Sequence, residues 1–238
     1  MNRNYDSIVR PGSGSKADVD QGLRAYMLKI YNYMTLGLGI TGVIAYFVAS
    51  NEQLLSVIVG NPVMFWGLFL AQIGAVIYLS ARAIQMPTRR AQLVFFAYAA
   101  ISGLTFSSIF AAYTFESIAR VFFITAGTFG AMSLYGYSTK RDLTGLGSFL
   151  IMGLIGVVIA SVVNLFVQSS ALLFITSVIG VLVFVGLTAY DTQKLKLMYY
   201  HVGHTEKAEN FAVVGALTLY LDFINLFIML MNLLGDRR

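Results

Sequence analysis

Two aspartates, Asp191 and Asp222, are the only acidic residues in or bordering the apolar segments of this chain. Asp222 stands in the stretch "LYLDFIN" (Leu219–Asn225), inside a run that stays apolar-dominated as far as Leu234. A carboxylate at the centre of a membrane helix costs roughly 2.5–3.5 kcal/mol on insertion scales. Such a group normally faces a bundle interior and marks function by default. The other acids are elsewhere: Asp6, Asp18 and Asp20 in a polar tail, and Glu52, Glu116, Asp142, Glu206, Glu209 and Asp236 in expected loops or at the end.

Two neighbouring carboxylates in a low dielectric cannot both ionise cheaply, so the pair would titrate as a unit in two macroscopic steps. A shared proton ties their helices together; its loss leaves like charges that repel or that attract a cation. That is a pH-dependent latch. The surrounding pattern supports an inward face, since Gly215, Thr218, Asp222, Asn225, Met229 and Asn232 recur at helical steps. Ser177, Gly180, Phe184, Thr188 and Asp191 do likewise. Such stripes either line a cavity or make hydrogen-bonded helix contacts, and Thr188, Thr218 and Asn225 are the candidate lining residues. Calcium takes ~6–8 oxygen ligands. Asp191 and Asp222 with Thr188, Asn225 and water offer it a transit site, not a tight one. Arg82 either pairs with one of the aspartates or snorkels as a topology signal.

The elements that must hold these residues follow from composition. Of 238 residues, 58% are hydrophobic and 11% charged, whereas soluble domains carry about 25% charged residues. Apolar stretches near 20 residues match a helix crossing ~30 Å of hydrocarbon, and they lack the period-two alternation of barrel strands. Seven spans are expected: Met27–Ala49, Pro62–Ala83, Ala91–Tyr113, Ile118–Tyr137, Leu146–Val167, Ala171–Tyr190 and Phe211–Leu234. The chain reads as an all-α membrane protein, with a polar N-terminal tail (residues 1–25) and one transmembrane domain (residues 26–238). No cleavable signal peptide is expected in the tail, so insertion would start from the first span. The tail is either a handle for a cytoplasmic partner or a topology-setting segment. The segment from Asp191 to Asn210 is expected to continue the sixth helix before looping back. Glycines such as Gly37, Gly39, Gly42, Gly127, Gly130, Gly153 and Gly156 are read as close helix contacts.

Lysine and arginine set the orientation. An inside N-terminus puts thirteen of the sixteen basic residues on the cytoplasmic side and leaves Arg120, Arg237 and Arg238 outside. Asp191 then lies ~7–8 Å and Asp222 ~12–14 Å into the same leaflet, at 1.5 Å per residue. They are able to meet. The formal charge of +5 is absorbed by this topology, so nucleic acid is not an expected partner.

At "GLTAYDTQKL" (Gly186–Leu195) and "ALTLYLDFINLFIMLMNLLG" (Ala216–Gly235) the sequence resembles the Bax inhibitor-1, or transmembrane Bax inhibitor motif, family. The resemblance continues through "FFAYAAISGLTFSSIF" (Phe95–Phe110) and "AMSLYGYSTKRDLTGLGSFLIMGLIG" (Ala131–Gly156). It implies a seven-helix fold whose last helix is wrapped by the other six, in a bacterial inner membrane. It also implies a pH-sensitive calcium leak, with Asp191 and Asp222 as sensor and gate. Arg82 is the nearest match to an arginine that bonds an aspartate in bacterial relatives. Where some relatives carry an acid in the second helix, this chain has Gln72. Other bacterial members bind and restrain a membrane-anchored AAA protease, the alternative the resemblance leaves open.

Enzyme chemistry is not expected, and neither is a cofactor. There is no cysteine, and the two histidines, His201 and His204, share one expected loop with Glu206. That trio is either a weak surface metal site or a solvated loop. No HExxH or Walker A pattern occurs. Neither aspartate follows the Gly-x-Gly that marks intramembrane aspartyl proteases, and the last span has no lysine for a retinal Schiff base.

Overall fold

A computed structural model describes residues 16–238, with side chains from Val19 onward. Most of the expected tail, including Arg3, Asp6, Arg10 and the Lys16 and Asp18 side chains, lies outside what is described. Among the described residues eight α-helices follow in order: α1 (Lys16–Ala49), α2 (Glu52–Ile58), α3 (Pro62–Arg82), α4 (Thr88–Ala112), α5 (Phe115–Ser138), α6 (Thr144–Val167), α7 (Ser170–Val202) and α8 (Ala208–Leu234), with one 3₁₀ turn at Ala83–Gln85. Seven of them, all but α2, are long and apolar enough to cross a membrane.

Local chemistry fixes the boundaries. Asn61 caps α3 by accepting from the Val63 and Met64 amides, and Pro62 takes the first helical position, where no amide hydrogen is needed. Thr114 and Ser169 cap α5 and α7 in the same way. Helix α6 ends at Gln168, whose φ of 51° is left-handed, the conformation that commonly stops a helix.

Two helices outrun their apolar spans. Helix α7 continues eleven residues past Asp191, as expected, and buries Leu195 and Tyr199. Helix α1 starts well before Met27, within the expected tail, and brings Leu23 and Tyr26 into the core, where Tyr26 packs on Tyr199. The two polar extensions exist because each supplies the other with an apolar face.

Helix α8 is the centre. Its most apolar stretch is 67% buried, against 6% for α3 and 11% for α6. Its main neighbours are α1, α4, α5 and α7, with α3 and the 3₁₀ turn reaching it more narrowly. Helix α6 joins the bundle through α7, so the wrapping is closest on four sides. Helix α8 runs unbroken from Ala208 to Leu234. Beyond it, residues 235–238 bind the α4–α5 turn: the Thr114 amide donates to the Asp236 carbonyl (3.0 Å), and the Arg238 amide to the Ala112 carbonyl (3.0 Å).

The glycines divide. Gly37 and Gly153 do make close helix contacts, against Phe95 and Val183. Gly39, Gly42, Gly127, Gly130 and Gly156 face open space instead, which corrects the packing role expected for them. At Gly103 and Gly136 one helix comes up against the backbone of another: an added Cβ would sit 2.8 Å from the Thr41 carbonyl oxygen and 2.2 Å from that of Ala189.

Candidate functional site

Asp222 lies near the middle of α8 and is 5% exposed. Asp191, on α7, is half-buried, and the two carboxyl groups are close enough to interact. Lys194 follows Asp191 by about one turn of α7, and neither ion pair among the described residues joins the two. Among the described residues, no N–H or O–H group donates to the buried Asp222 Oδ2. A buried carboxylate oxygen without a donor is costly, and a proton held between the two acids relieves that cost. The structure therefore brings together the two aspartates singled out from sequence.

Each helix of the pair is positioned by polar side chains flanking its aspartate. On α7, Thr192 bonds Ser133 of α5 (3.2 Å). The Gln193 amide donates to the Arg141 carbonyl (2.7 Å) and accepts from the Leu143 amide (2.9 Å). Lys196 donates to the Tyr137 carbonyl (2.7 Å), which supplies a cation to the end of α5 where carbonyls lack partners. Together with the close α5–α7 approach at Gly136, these contacts set the depth and rotation of Asp191. The motif "DTQKLK" is thus one acid followed by three fasteners.

On α8, Asn210 is buried and does comparable service. Its amide donates to the Ala83 (2.6 Å) and Met86 (2.8 Å) carbonyls and accepts from the Thr88 hydroxyl (2.6 Å). That pins the start of α8 to the α3–α4 corner. Glu209 beside it belongs to the first turn of α8, not to a loop, and accepts from Lys29 and Tyr33 of α1. Ten residues further on, Tyr220 meets the Thr41 hydroxyl (2.7 Å), which also donates to the Ala99 carbonyl (2.8 Å). Tyr220 and Asp222 are two residues apart, so they leave α8 on nearly opposite faces. Neutral hydroxyls hold one face; the acid occupies the other.

The other candidates are placed differently. Arg82 is exposed at the end of α3, and neither ion pair among the described residues includes it. The structure does not bring it to the aspartates, because the α3–α4 corner is held to α8 by Asn210 instead. Thr188 is buried, but its hydroxyl donates to the Phe184 carbonyl of its own helix (2.8 Å). Thr218 and Asn225 likewise donate to Val214 (3.1 Å) and Leu221 (2.8 Å). None of the three offers these donors to the pair, and neither described cavity is lined by them. Among the described residues no three His, Asp or Glu side chains converge as metal ligands, His201, His204 and Glu206 included. Gln72 bonds Thr105 (3.0 Å) and Ser102 (3.2 Å) on α4, as a neutral helix fastener.

Asn210, Glu209, Gln193 and Lys196 are the residues whose roles sequence reasoning missed. Asn210 carried one faint signal, a polar residue at the head of an apolar run.

A bundle of seven long apolar helices with α8 at its centre, and with two neighbouring acids on α7 and α8, defines a multi-pass membrane protein. The chain matches the family described as "Inhibitor of apoptosis-promoting Bax1" over residues 23–238, and it belongs to that family, the Bax inhibitor-1 family. It is 48% identical to the inner membrane protein YbhL of Escherichia coli over 235 residues, covering 98% of this chain and 97% of that one. An uncharacterized protein of Rickettsia prowazekii is 51% identical over 223 residues, covering 92% of each. A membrane protein of Streptococcus pyogenes is 37% identical over 218 residues, covering 91% and 94%.

Proposed function

We propose that this protein is a pH-sensitive cation leak, with calcium as the expected ion, gated by the Asp191–Asp222 pair. The observation that carries the reading is the donor-less Asp222 Oδ2, buried on the central helix beside a second carboxyl group. With one proton shared, α7 and α8 are tied and the bundle is shut. Without it the like charges separate or recruit a cation, and a path opens between the helices. Four carboxylate oxygens fall short of the ~6–8 that calcium prefers, which suits an ion in passage. The cation is cargo, and no bond of it is broken. The basic residues favour a cytoplasmic N-terminus, and the name of the Escherichia coli relative favours the inner membrane.

The test is calcium flux into dye-loaded proteoliposomes across a pH series. Wild type should leak with a clear pH dependence, and Asp222→Asn should flatten it. Equal flux from both proteins at every pH removes the channel reading.

A second reading, restraint of a membrane-anchored AAA protease without transport, is favoured by the closed packing. The three polar candidates turn back on their own helices, and neither described cavity reaches the pair. Deletion of residues 2–15 separates the two. A leak survives the deletion, whereas a protease association through the tail is lost in co-purification.

A further inference from the structure

We propose that one acyl chain of a membrane lipid lodges in a groove between α1 and α5, against the α8 residue that follows Asp222. Helices α1 and α5 both pack on α8, and a cavity of about 540 Å³ opens between them. Its walls are Met34, Gly39 and Gly42 of α1 and Phe122 and Phe129 of α5; its floor is Phe223. Both phenylalanines of α5 pack edge-on or tilted against Phe223, with ring centroids 5.5 Å away. Thr35 is the one polar side chain in the lining. Added Cβ atoms at Gly39 and Gly42 would meet nothing within 4 Å, so these glycines create room and do not close a helix contact.

What fills the room follows from where it opens. The groove is continuous with the outward surface of the bundle, where Val43 is 70% and Phe123 73% exposed, and that surface faces hydrocarbon. A smaller cavity, sharing Leu38, Gly42, Phe122 and Phe223 with the first, carries it on to Ala45. From Met34 to Ala45 the helix rises ~16 Å. One leaflet of a ~30 Å hydrocarbon core is about as deep. A single acyl chain therefore matches the groove in length and polarity, and its volume lies within the ~300–1,000 Å³ typical of ligand sites. The occupant touches Phe223, so it bears directly on the helix that carries Asp222.

The experiment uses the full chain in vesicles of palmitoyl-oleoyl phosphatidylglycerol doped with the same lipid bearing a diazirine in its acyl chain. Photolysis should label the segments 34–43 and 122–129 several-fold above the equally exposed α6 surface around Phe166. The double variant Gly39→Leu, Gly42→Leu fills the groove and should lose that excess labelling, while Gly127→Leu, which also enters open space on α5, should keep it. Native mass spectrometry after delipidation should show one retained lipid on wild type and on Gly127→Leu, and none on the filled variant. Uniform labelling of the whole lipid-facing surface overturns the proposal. So does retained lipid on the filled variant, or a Val43→Cys disulfide between two copies in the membrane, which would make a second chain the occupant. The leak reading is untouched by any of these results, since none of them involves ion flux.

Discussion

Replacing Asn210 tests whether the central helix is held at its start by this one side chain. The amide makes three hydrogen bonds, at 2.6, 2.8 and 2.6 Å, to Ala83, Met86 and Thr88. A net ~0.5–1.5 kcal/mol for each gives ~1.5–4.5 kcal/mol for Asn210→Ala. The upper half of that range is expected, because truncation strands two carbonyls that the side chain covers. Asn210→Asp is the sharper perturbation. It keeps size and shape, but one carboxylate oxygen replaces the donor facing both carbonyls, so its cost should equal or exceed that of alanine. Thr88→Val removes one contact and should cost ~0.5–1.5 kcal/mol. Unfolding in mixed detergent–dodecyl sulfate micelles measures all three. Hydrogen exchange should show faster opening at residues 208–212, with α7 unchanged. If Asn210→Asp unfolds within about 0.5 kcal/mol of wild type, the side chain is a space-filler and the clasp does not exist.

Other outcomes follow from contacts of different kinds. Gly136→Ala should cost ~1–3 kcal/mol or more, because its Cβ meets the Ala189 backbone at 2.2 Å; Gly130→Ala on the same helix faces open space and should stay within about 0.5 kcal/mol. Thermal unfolding of the two variants reads the contrast. Arg120→Ala breaks an ion pair with Asp236 whose side chains are both more than half exposed, so the pair itself contributes under about 1 kcal/mol and fades with added salt. Equilibrium unfolding at low and high salt checks this. Asp142, in the α5–α6 turn, is held below the usual carboxylate range by hydrogen bonds from the Thr144 hydroxyl and amide. A lowered carboxyl stabilises fully above its ordinary pKa and loses that contribution as pH falls through the lowered one. Any gating change near neutrality therefore originates elsewhere, and Asp142→Asn should leave the pH profile of flux unmoved.

The aspartate pair was legible because an acid inside an apolar run stands out against its neighbours and because helical rise gives its depth. The seven spans were legible for the same reason: length and hydropathy are local properties. The fasteners were not. Gln193 and Asn210 bind backbone carbonyls and amides, which every residue carries, so their partners leave no mark in the sequence. Glu209 looked like a loop residue because its partners, Lys29 and Tyr33, lie about 180 positions away. Gly39 and Gly42 show the limit from the other side. A small residue is needed both where helices touch and where a groove must stay open, and spacing does not separate the two cases. Arg82 stayed open between pairing with an aspartate and snorkelling because residue type and leaflet do not fix where a side chain lies around the bundle.

The hydrogen bonds sort the bundle into two bodies. Helices α1, α3 and α4 are joined to α8 and to each other through Lys29, Tyr33, Thr41, Gln72, Thr88 and Asn210. Helices α5, α6 and α7 are joined through Ser133–Thr192, Gln193 and Lys196. Among the described residues, donor–acceptor contacts between the two bodies occur only at the far end, where Ser117 and Arg120 of α5 hold Leu234 and Asp236. Elsewhere no hydrogen bond between described residues crosses the seam, and there Asp191 faces Asp222. The lipid groove between α1 and α5 lies on the same seam. A repulsion inside the pair thus acts where no other polar contact resists it, and the C-terminal clasp makes the opposite end the pivot. Under the proposed gating the bodies part first at the end where α8 begins, and each keeps its own fasteners intact.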